Sequence, residues 1–106
     1  MTKQLTGKRD DTQLHTAARE GNLELAVEIM SNIGDAELRQ LLSKQNNSGE
    51  TALYVAAENG HVDLVKEMIK YHDAGLAGTK AKNDYDAFHI AAKQGDLGEF
   101  LWKLKF

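Results

Sequence analysis

Cysteine and proline are both absent from the 106 residues of this chain. Without cysteine, the chain has no disulfide framework, no thiolate metal site and no cysteine nucleophile. Without proline, it has no polyproline linker and no turn whose backbone is preset by a proline ring. Aromatic residues make up only 7% of the chain, so its core has to be built from small and aliphatic side chains.

The chain also lacks a strong charge of one sign and a long apolar run. Its 13 Lys and Arg residues against 16 Asp and Glu residues give a formal net charge of -3, which argues against a nucleic-acid partner. The longest apolar run, residues 52–57, is far shorter than the roughly 18 residues of a membrane span. Because no apolar stretch follows the basic residues near the N-terminus, no secretory signal is predicted. These features predict a cytoplasmic chain that spans no membrane.

Three segments of the chain align with one another, and they begin at Thr12, Thr51 and Asp86. They read TQLHTAAREGNLELAVEIM, TALYVAAENGHVDLVKEMI and DAFHIAAKQGDLGEFLWKL. Each contains a pair of small residues followed, after two polar residues, by a glycine, and these glycines lie 39 and then 35 positions apart. A pattern that recurs three times in one short chain indicates an internal repeat.

Each repeat unit is predicted to form a helix, a tight corner and a second helix. In the first unit, Thr12 is suited to cap the helix, and Leu14 lies on one helical face with the alanine pair that follows it. Gly21 ends the helix, because glycine adopts the left-handed conformation without steric cost. The residues with these structural roles are Thr12, Leu14, His15, Ala17, Ala18 and Gly21, then Thr51, Leu53, Ala56, Ala57 and Gly60, and finally Asp86, Phe88, His89, Ala91, Ala92 and Gly95.

Successive units are predicted to cover one another in a row, since neither helix pair can bury its apolar face alone. Polar, turn-rich stretches at 45–50 and 82–85 separate the units and are predicted to be exposed loop tips. Within the longer first interval, leucines recur at helical spacing over residues 35–43, which predicts an extra helical segment. His61 is a poor residue for the cap of the second helix of its unit, and we expect it at the surface.

The segment TQLHTA resembles the T-P-L-H-x-A signature of the ankyrin repeat, whose period is about 33 residues. TALYVA and DAFHIA depart from the signature further, and all three segments lack its proline. The resemblance implies an all-α ankyrin-repeat solenoid of two full repeats and an incomplete third. The predicted divisions are a basic lead at 1–10, a first repeat with an extended helical linker at 11–49, a second repeat at 50–84 and a partial third repeat at 85–106.

The same segments also resemble the N-terminal repeats of plant ankyrin-repeat membrane proteins. That family continues to a C-terminal PGG domain with transmembrane helices, which is absent from this sequence. It is linked to defence, cell-death control and salt-stress signalling at the plasma membrane, with its repeats on the cytosolic side. The resemblance therefore implies a non-catalytic protein–protein interaction module that belongs to, or derives from, a membrane-associated signalling protein.

His15 and His89 occupy the same position of the first and third units. A metal or acid–base pair would need the two rings together, whereas equivalent positions of a repeat stack stay well apart. We therefore favour a structural role, in which each histidine hydrogen-bonds the loop backbone beside it, and Tyr54 at the middle position agrees with that role. No metal site, cofactor site or catalytic residue is predicted, so the chain is not expected to be an enzyme.

The resemblance places a protein-binding surface on the concave side of the stack, at the loop tips and the outer ends of the first helices. The residues at these positions are polar and mixed in charge, and they are Arg9, Asp11, Arg19, Glu20, Ser48, Glu50, Glu58, Asn59, Asn83, Tyr85, Lys93 and Gln94. Such a composition suits a protein partner better than a phosphate backbone, although the solvated rim of a helix stack has the same composition. Tyr85 is the strongest candidate, because exposed aromatic residues serve as interface anchors.

The C-terminal residues depart from the repeat pattern. Gly98 interrupts the second helix of the third unit, and no polar capping repeat follows. An alternative function is therefore a truncated product that self-associates, or pairs with full-length relatives, through an uncovered apolar face. That face would consist of Phe100, Leu101, Trp102, Leu104 and Phe106.

Overall fold

The computed structural model describes residues 10–71 and 79–93, and every regular element within these ranges is an α-helix. The helices described there are α1 Gln13–Glu20, α2 Leu23–Ser31, α3 Asp35–Ser43, α4 Ala52–Glu58, α5 Val62–Ile69 and α6 Ala87–Ala92. The prediction of an all-α fold is confirmed. Predictions for Arg9, Gln94, Gly95 and the apolar residues after Gly98 lie outside the described residues.

The helices form two layers. In the first layer, α4 packs against α1 on one side and against α6 on the other. In the second layer, α2 packs against α5, and each of these helices also packs against the first helix of its own unit. Each unit therefore covers the apolar face of its neighbour, as expected for repeats that are too small to fold alone.

The core is centred on α4. Its residues 52–57 and the preceding Thr51 are all buried, and only its last residue is exposed. Ala17, Ala56 and Ala91 are each 0% exposed and occupy equivalent points of three successive helices. Because these side chains are small, the helices of the first layer approach closely, and the core is a narrow column with few aromatic rings.

The predicted caps begin all three first helices. Thr12, Thr51 and Asp86 each accept a hydrogen bond from the backbone N–H three residues later, over 3.2, 3.2 and 2.8 Å. A cap of this kind typically contributes about 1 kcal/mol. Gly21 ends α1 in the left-handed conformation, with φ of 71°. Gly60 has the same φ, but α4 ends one residue earlier than its glycine, at the C-cap Asn59.

The helical segment predicted between the first two units is present as α3, and its Leu38 and Leu42 join the core. Gly34 is the N-cap of this helix, has an extended backbone with φ of −73°, and provides no side-chain capping bond. A Cβ atom at Gly34 would have no heavy atom within 4 Å. The position is therefore open to a capping side chain.

We expect Gly34→Ser to raise the free energy of unfolding by about 0.5 kcal/mol, because the hydroxyl can cap α3 and the side chain restricts the unfolded chain. Urea denaturation followed by circular dichroism measures the difference. Gly34→Ala is the matched control, since it adds the Cβ without the hydroxyl. If the alanine and serine variants are equally stable, the capping hydrogen bond does not form.

The side of α1 that faces away from α4 is polar. Gln13 is exposed and Thr16 is half-buried there. The equivalent residues of α4 are Ala52 and Val55, which are both 0% exposed between two helices. The first unit therefore has the polar outer surface that is typical of a capping repeat.

Candidate protein-binding surface

A tight turn lies immediately before α4 and another before α6, and we call residues 46–50 and 81–85 the finger turns. In the first, Asn46 N–H donates to the Glu50 carbonyl at 3.0 Å, and in the second, Ala81 N–H donates to the Tyr85 carbonyl at 2.8 Å. Both turns contain a residue with a left-handed backbone, Gly49 with φ of 77° and Asp84 with φ of 71°. Lys82 N–H joins the two finger turns by donating to the Ser48 carbonyl at 2.9 Å.

Three positions in each unit, spaced four residues apart, begin beside the finger turn and run along the first helix. Side chains at this spacing share one helical face. Because the units stack in register, nine residues form a grid of three rows, which we call the finger-side grid. Its rows are Asp11, His15 and Arg19, then Glu50, Tyr54 and Glu58, and finally Tyr85, His89 and Lys93.

His15 joins the first unit to the second. Its side chain is fully buried, and its Nδ1 accepts the backbone N–H of Thr12 at 3.1 Å, so we assign the ring proton to Nε2. This Nε2 lies 2.7 Å from the Glu50 carbonyl oxygen, to which it donates. The predicted hydrogen bond from His15 to loop backbone is confirmed. No cluster of three or more metal-ligating side chains occurs in residues 10–71 and 79–93.

Tyr54 joins the second unit to the third in the same way. It is 1% exposed, and its hydroxyl accepts a hydrogen bond from the Asn83 side-chain amide at 3.0 Å. Burial raises the pKa of Tyr54 above its ordinary value of 10.0, and the negative charges of Glu58 and Glu50 raise it further, against the lowering effect of the Asn83 bond. Tyrosine thus replaces histidine here without loss of the link between units.

Because the folded state raises the pKa of Tyr54, we expect the chain to lose stability as the pH rises above about 10. The unfolded phenol ionises at its ordinary pKa, whereas the folded phenol resists ionisation, so alkali favours the unfolded chain. Below that pH the contribution is fully present. Denaturation curves at about pH 8 and about pH 11 measure the loss. Tyr54→Phe should lose less stability between them than the parent, and equal losses would contradict the assignment.

Several predicted contact residues of the first two units pair with one another. The Arg19 guanidinium lies 3.2 Å from the Asp11 carboxylate and 3.7 Å from the Glu50 carboxylate. Asn46 Nδ2 donates to both carboxylates at 2.9 Å. The side chains of Arg19, Asp11 and Glu50 are only 27%, 9% and 14% exposed. This cluster therefore joins two units and presents little free polar surface.

Asn46 is the centre of this cluster, and the sequence analysis did not identify it. It is 6% exposed, and its Oδ1 accepts the backbone N–H groups of Ser48 and Glu50 at 3.0 and 2.9 Å. The amide oxygen of Asn46 thus stabilises the finger turn, and the amide nitrogen binds the two carboxylates. The equivalent residue of the next unit is Ala81, so repetition of the sequence gives no signal for it.

The third unit presents a different surface on the same side. Tyr85 is 38% exposed, and its ring stacks on His89 with the ring centroids 6.0 Å apart and the planes at 9°. Lys93 Nζ lies 4.7 Å from the centroid of the Tyr85 ring. Tyr85 and Lys93 stand where the first unit has Asp11 and Arg19, so a cation–π contact replaces an ion pair.

His89 contacts the cap of its own helix. Its Nδ1 lies 2.7 Å from the Asp86 carboxylate, and its side chain is 60% exposed. His15 makes the same kind of contact with its own cap, since its Nδ1 lies 3.1 Å from the Thr12 backbone nitrogen and 2.8 Å from Thr12 Oγ1. No described residue makes the predicted loop-backbone hydrogen bond with His89.

Three other predicted contact residues are exposed at the ends of the first helices. Glu20, Glu58 and Asn59 have exposed side chains. The Asn59 amide donates to the Val55 carbonyl at 2.8 Å, which ties it to its own helix. Glu20 and Glu58 extend the acidic character of the first two units.

His61 is half-buried and links two units, which its interpretation as a surface residue did not include. It makes no side-chain cap for α5, as expected, but its Nε2 lies 3.2 Å from the Arg19 carbonyl oxygen of the preceding unit. The ring packs under Gly21, where an added Cβ would lie 2.7 Å from ring atoms. The glycine therefore has two functions, since it ends α1 and leaves space for this ring.

Comparison with known proteins agrees with this geometry. A family model described as ankyrin repeats (3 copies) matches residues 14–104. The ankyrin repeat-containing protein At5g02620 of Arabidopsis thaliana is 61% identical over 97 residues, which cover 92% of this chain and 18% of that protein. The ankyrin repeat-containing protein ITN1 of Arabidopsis thaliana is 38% identical over 109 residues, which cover 88% of this chain and 18% of that protein. The chain thus spans less than a fifth of the length of these relatives.

A solved structure is also similar. A chain in the crystal structure of the yeast ribosomal protein Rps3 in complex with its chaperone Yar1 matches with a TM-score of 0.80 and 27% identity, over 90% of this chain and 67% of that chain. None of the helices in the described ranges is long and apolar enough to cross a membrane. The matching family model, the two layers of helices and the plant relatives together show that the chain belongs to the ankyrin-repeat family, whose repeats mediate protein–protein interaction.

Proposed function

We propose that the chain binds a protein partner through the finger-side grid, with Tyr85 as the anchor and without catalytic activity of its own. The supporting observation is a contrast within the grid. The charged groups of the first row are largely buried in the Asn46 cluster, whereas Tyr85 is 38% exposed beside the exposed side chains of His89 and Lys93. An exposed aromatic ring within a polar surface is typical of an interface anchor.

The proposal extends to a longer protein. The Arabidopsis relatives are several times longer than this chain, and the chain resembles the repeats of plant membrane proteins that act in defence and stress signalling. We therefore place the interaction in a plant signalling protein that is attached to the plasma membrane, with its repeats on the cytosolic side. The repeats would then recruit a partner to the membrane.

Self-association is the alternative that the sequence left open. It depends on the apolar residues between Phe100 and Phe106, which lie outside the described residues. No observation of the described residues favours it over a distinct protein partner.

We expect Tyr85→Ala to weaken partner capture by about tenfold or more, because truncation of an aromatic anchor commonly costs that much affinity. Pull-downs from plant extract with tagged parent and variant chains, quantified by mass spectrometry, measure the change. Tyr71→Ala is the matched control, since Tyr71 is a similarly exposed tyrosine, at 40%, that lies just after α5 and outside the grid. Circular dichroism establishes that each variant is folded.

Two further variants test the surface as a whole. Glu58→Ala and Lys93→Ala change the second and third rows of the grid at equivalent positions. If a partner is captured by the parent chain and none of the variants at positions 58, 85 and 93 weakens its capture, the finger-side grid is not the binding surface.

A further inference from the structure

Asn59 is the one asparagine of this chain that a glycine follows, since the others are followed by leucine, isoleucine, asparagine, serine or aspartate. An asparagine amide is thermolabile, because the backbone nitrogen of the next residue can attack its side-chain carbonyl carbon. Glycine at the next position removes the side chain that would hinder this attack. Asn59 is the C-cap of α4 and its side chain is exposed, so water reaches the amide that would react.

The reaction replaces the Asn59 amide by a carboxylate. The Gly60 nitrogen gives up its proton and forms a bond with Cγ of Asn59, the bond from Cγ to Nδ2 breaks, and ammonia leaves. The resulting five-membered imide takes up one water molecule. If the water opens one carbonyl group of the ring, the product is an aspartate, and if it opens the other, the product is an isoaspartate with a longer main chain. No electron is transferred, and water is the co-reactant.

The corner between α4 and α5 holds the reacting atoms apart in the fold. The Gly60 N–H donates to the Ala57 carbonyl at 3.1 Å. Asn59 has ψ of 4°, which places the Gly60 nitrogen on the side of the Asn59 backbone nitrogen, whereas the imide ring needs it on the side of Cβ. The Asn59 amide also donates to the Val55 carbonyl at 2.8 Å, which keeps the side chain on its own helix. The reaction therefore requires that the corner open.

His61 fastens this corner to the first unit. Its Nε2 lies 3.2 Å from the Arg19 carbonyl oxygen, and its ring packs under Gly21. Its backbone N–H donates to the Ala56 carbonyl at 3.0 Å, so the same residue also closes the corner within its own unit. Opening of the corner therefore disturbs the contact between the first two units.

Conversion of the amide destabilises the closed corner. A carboxylate has no proton to donate to the Val55 carbonyl, and its charge would lie against that oxygen. It would also stand at the C-terminal end of α4 beside Glu58, where the helix dipole disfavours negative charge. An isoaspartate would lengthen the main chain just before His61, whose ring fits closely under Gly21.

We propose that the corner between α4 and α5 is a latent deamidation site, at which Asn59 reacts only while the corner is open and the product then favours the open state. Each conversion is a permanent record of an opening event, because the released ammonia is lost. The inference goes beyond the proposed function. It concerns the same side of the molecule, since Asn59 is one of the predicted contact residues and would gain a negative charge.

Peptide mapping by mass spectrometry measures the reaction in the full chain, incubated either in buffer or in a urea concentration that unfolds it. We expect Asn59 to react at least about tenfold more slowly in buffer, because the corner is open in only a small fraction of folded molecules. Asn32 is the internal control, since it is an exposed C-cap like Asn59 but is followed by isoleucine. It should react slowly under both conditions.

His61→Ala should accelerate the reaction of Asn59 in buffer by about fivefold, the effect of one lost hydrogen bond, after each rate is divided by that of the same variant in urea. Asn46→Ala is the matched comparison, because it destabilises the finger turn at 46–50 and leaves the bonds of the corner in place. It should accelerate the reaction less. Equal rates in buffer and urea for the parent, or an acceleration by Asn46→Ala as large as that by His61→Ala, would overturn the inference.

Asn59→Asp tests the effect of the product and should lower the urea midpoint of unfolding. Asn32→Asp is the matched control, since it places a carboxylate at a C-cap with φ of −101° and ψ of 8°, close to the −91° and 4° of Asn59. The Asn32 side chain makes no hydrogen bond with a described residue. The Asn59→Asp midpoint should therefore be the lower of the two, and equal midpoints would contradict the proposal that the product favours opening.

Discussion

Gly21→Ala is expected to lower the free energy of unfolding by about 2–3 kcal/mol. One part of the cost is the backbone, because a residue with a Cβ is strained at φ of 71°. The other part is the ring of His61, since the new Cβ would lie 2.7 Å from its Cε1 and Nδ1 atoms. Moving the ring would also break its hydrogen bond to the Arg19 carbonyl. Urea denaturation followed by circular dichroism measures the total.

A double-mutant cycle separates the two parts. In a His61→Ala background, Gly21→Ala should cost only about 1 kcal/mol, because the strain remains and the steric contact is gone. Gly34→Ala adds the same methyl group at an unstrained and open position, and it should change stability by less than about 0.5 kcal/mol. If Gly21→Ala costs the same with and without His61, contact with the ring does not contribute.

Asn46→Ala should destabilise the chain by about 3 kcal/mol, the second large effect that we expect. The substitution removes the acceptor of two backbone N–H groups in the finger turn and the donor of two carboxylates, in a side chain that is 6% exposed. The Asp11 and Glu50 carboxylates would then face each other with Arg19 as their remaining ligand in this cluster. Denaturant titration at neutral pH measures the loss.

Two comparisons identify which half of the amide matters. Asn46→Asp keeps an acceptor for the finger turn but places a third carboxylate beside Asp11 and Glu50, so it should also be destabilising. Asn32→Ala removes an exposed asparagine after α2 and should change stability by less than about 0.5 kcal/mol. An Asn46→Asp variant as stable as the parent would show that the amide donors contribute nothing.

Local features of the fold were predictable from the sequence because they depend on neighbouring residues. Thr12 caps α1 because its side-chain oxygen accepts a backbone N–H, and Gly21 ends α1 because glycine adopts the left-handed conformation. Both effects lie within a single unit. Repetition then extended these assignments to the second and third units. The leucines of α3 were identifiable in the same way, since a helical spacing of apolar residues reports a buried helical face.

Contacts between units were much less predictable. The sequence marked Asp11, Arg19 and Glu50 as polar residues of the concave side, but it does not show that Arg19 meets a carboxylate 31 positions away, at Glu50. His61 looked like a poor cap, and only its contacts with Gly21 and with the Arg19 carbonyl show why its ring is half-buried.

The polar outer side of α1 makes the two ends of the described stack chemically different. An additional repeat grafted after the third unit would meet His89 and Lys93, whose counterparts earlier in the stack already accept such a neighbour. A repeat grafted ahead of α1 would instead trap Gln13 and Thr16 between two helices, where dehydration of their unmatched polar groups opposes docking. Engineered lengthening of the array should therefore succeed at one end and fail at the other.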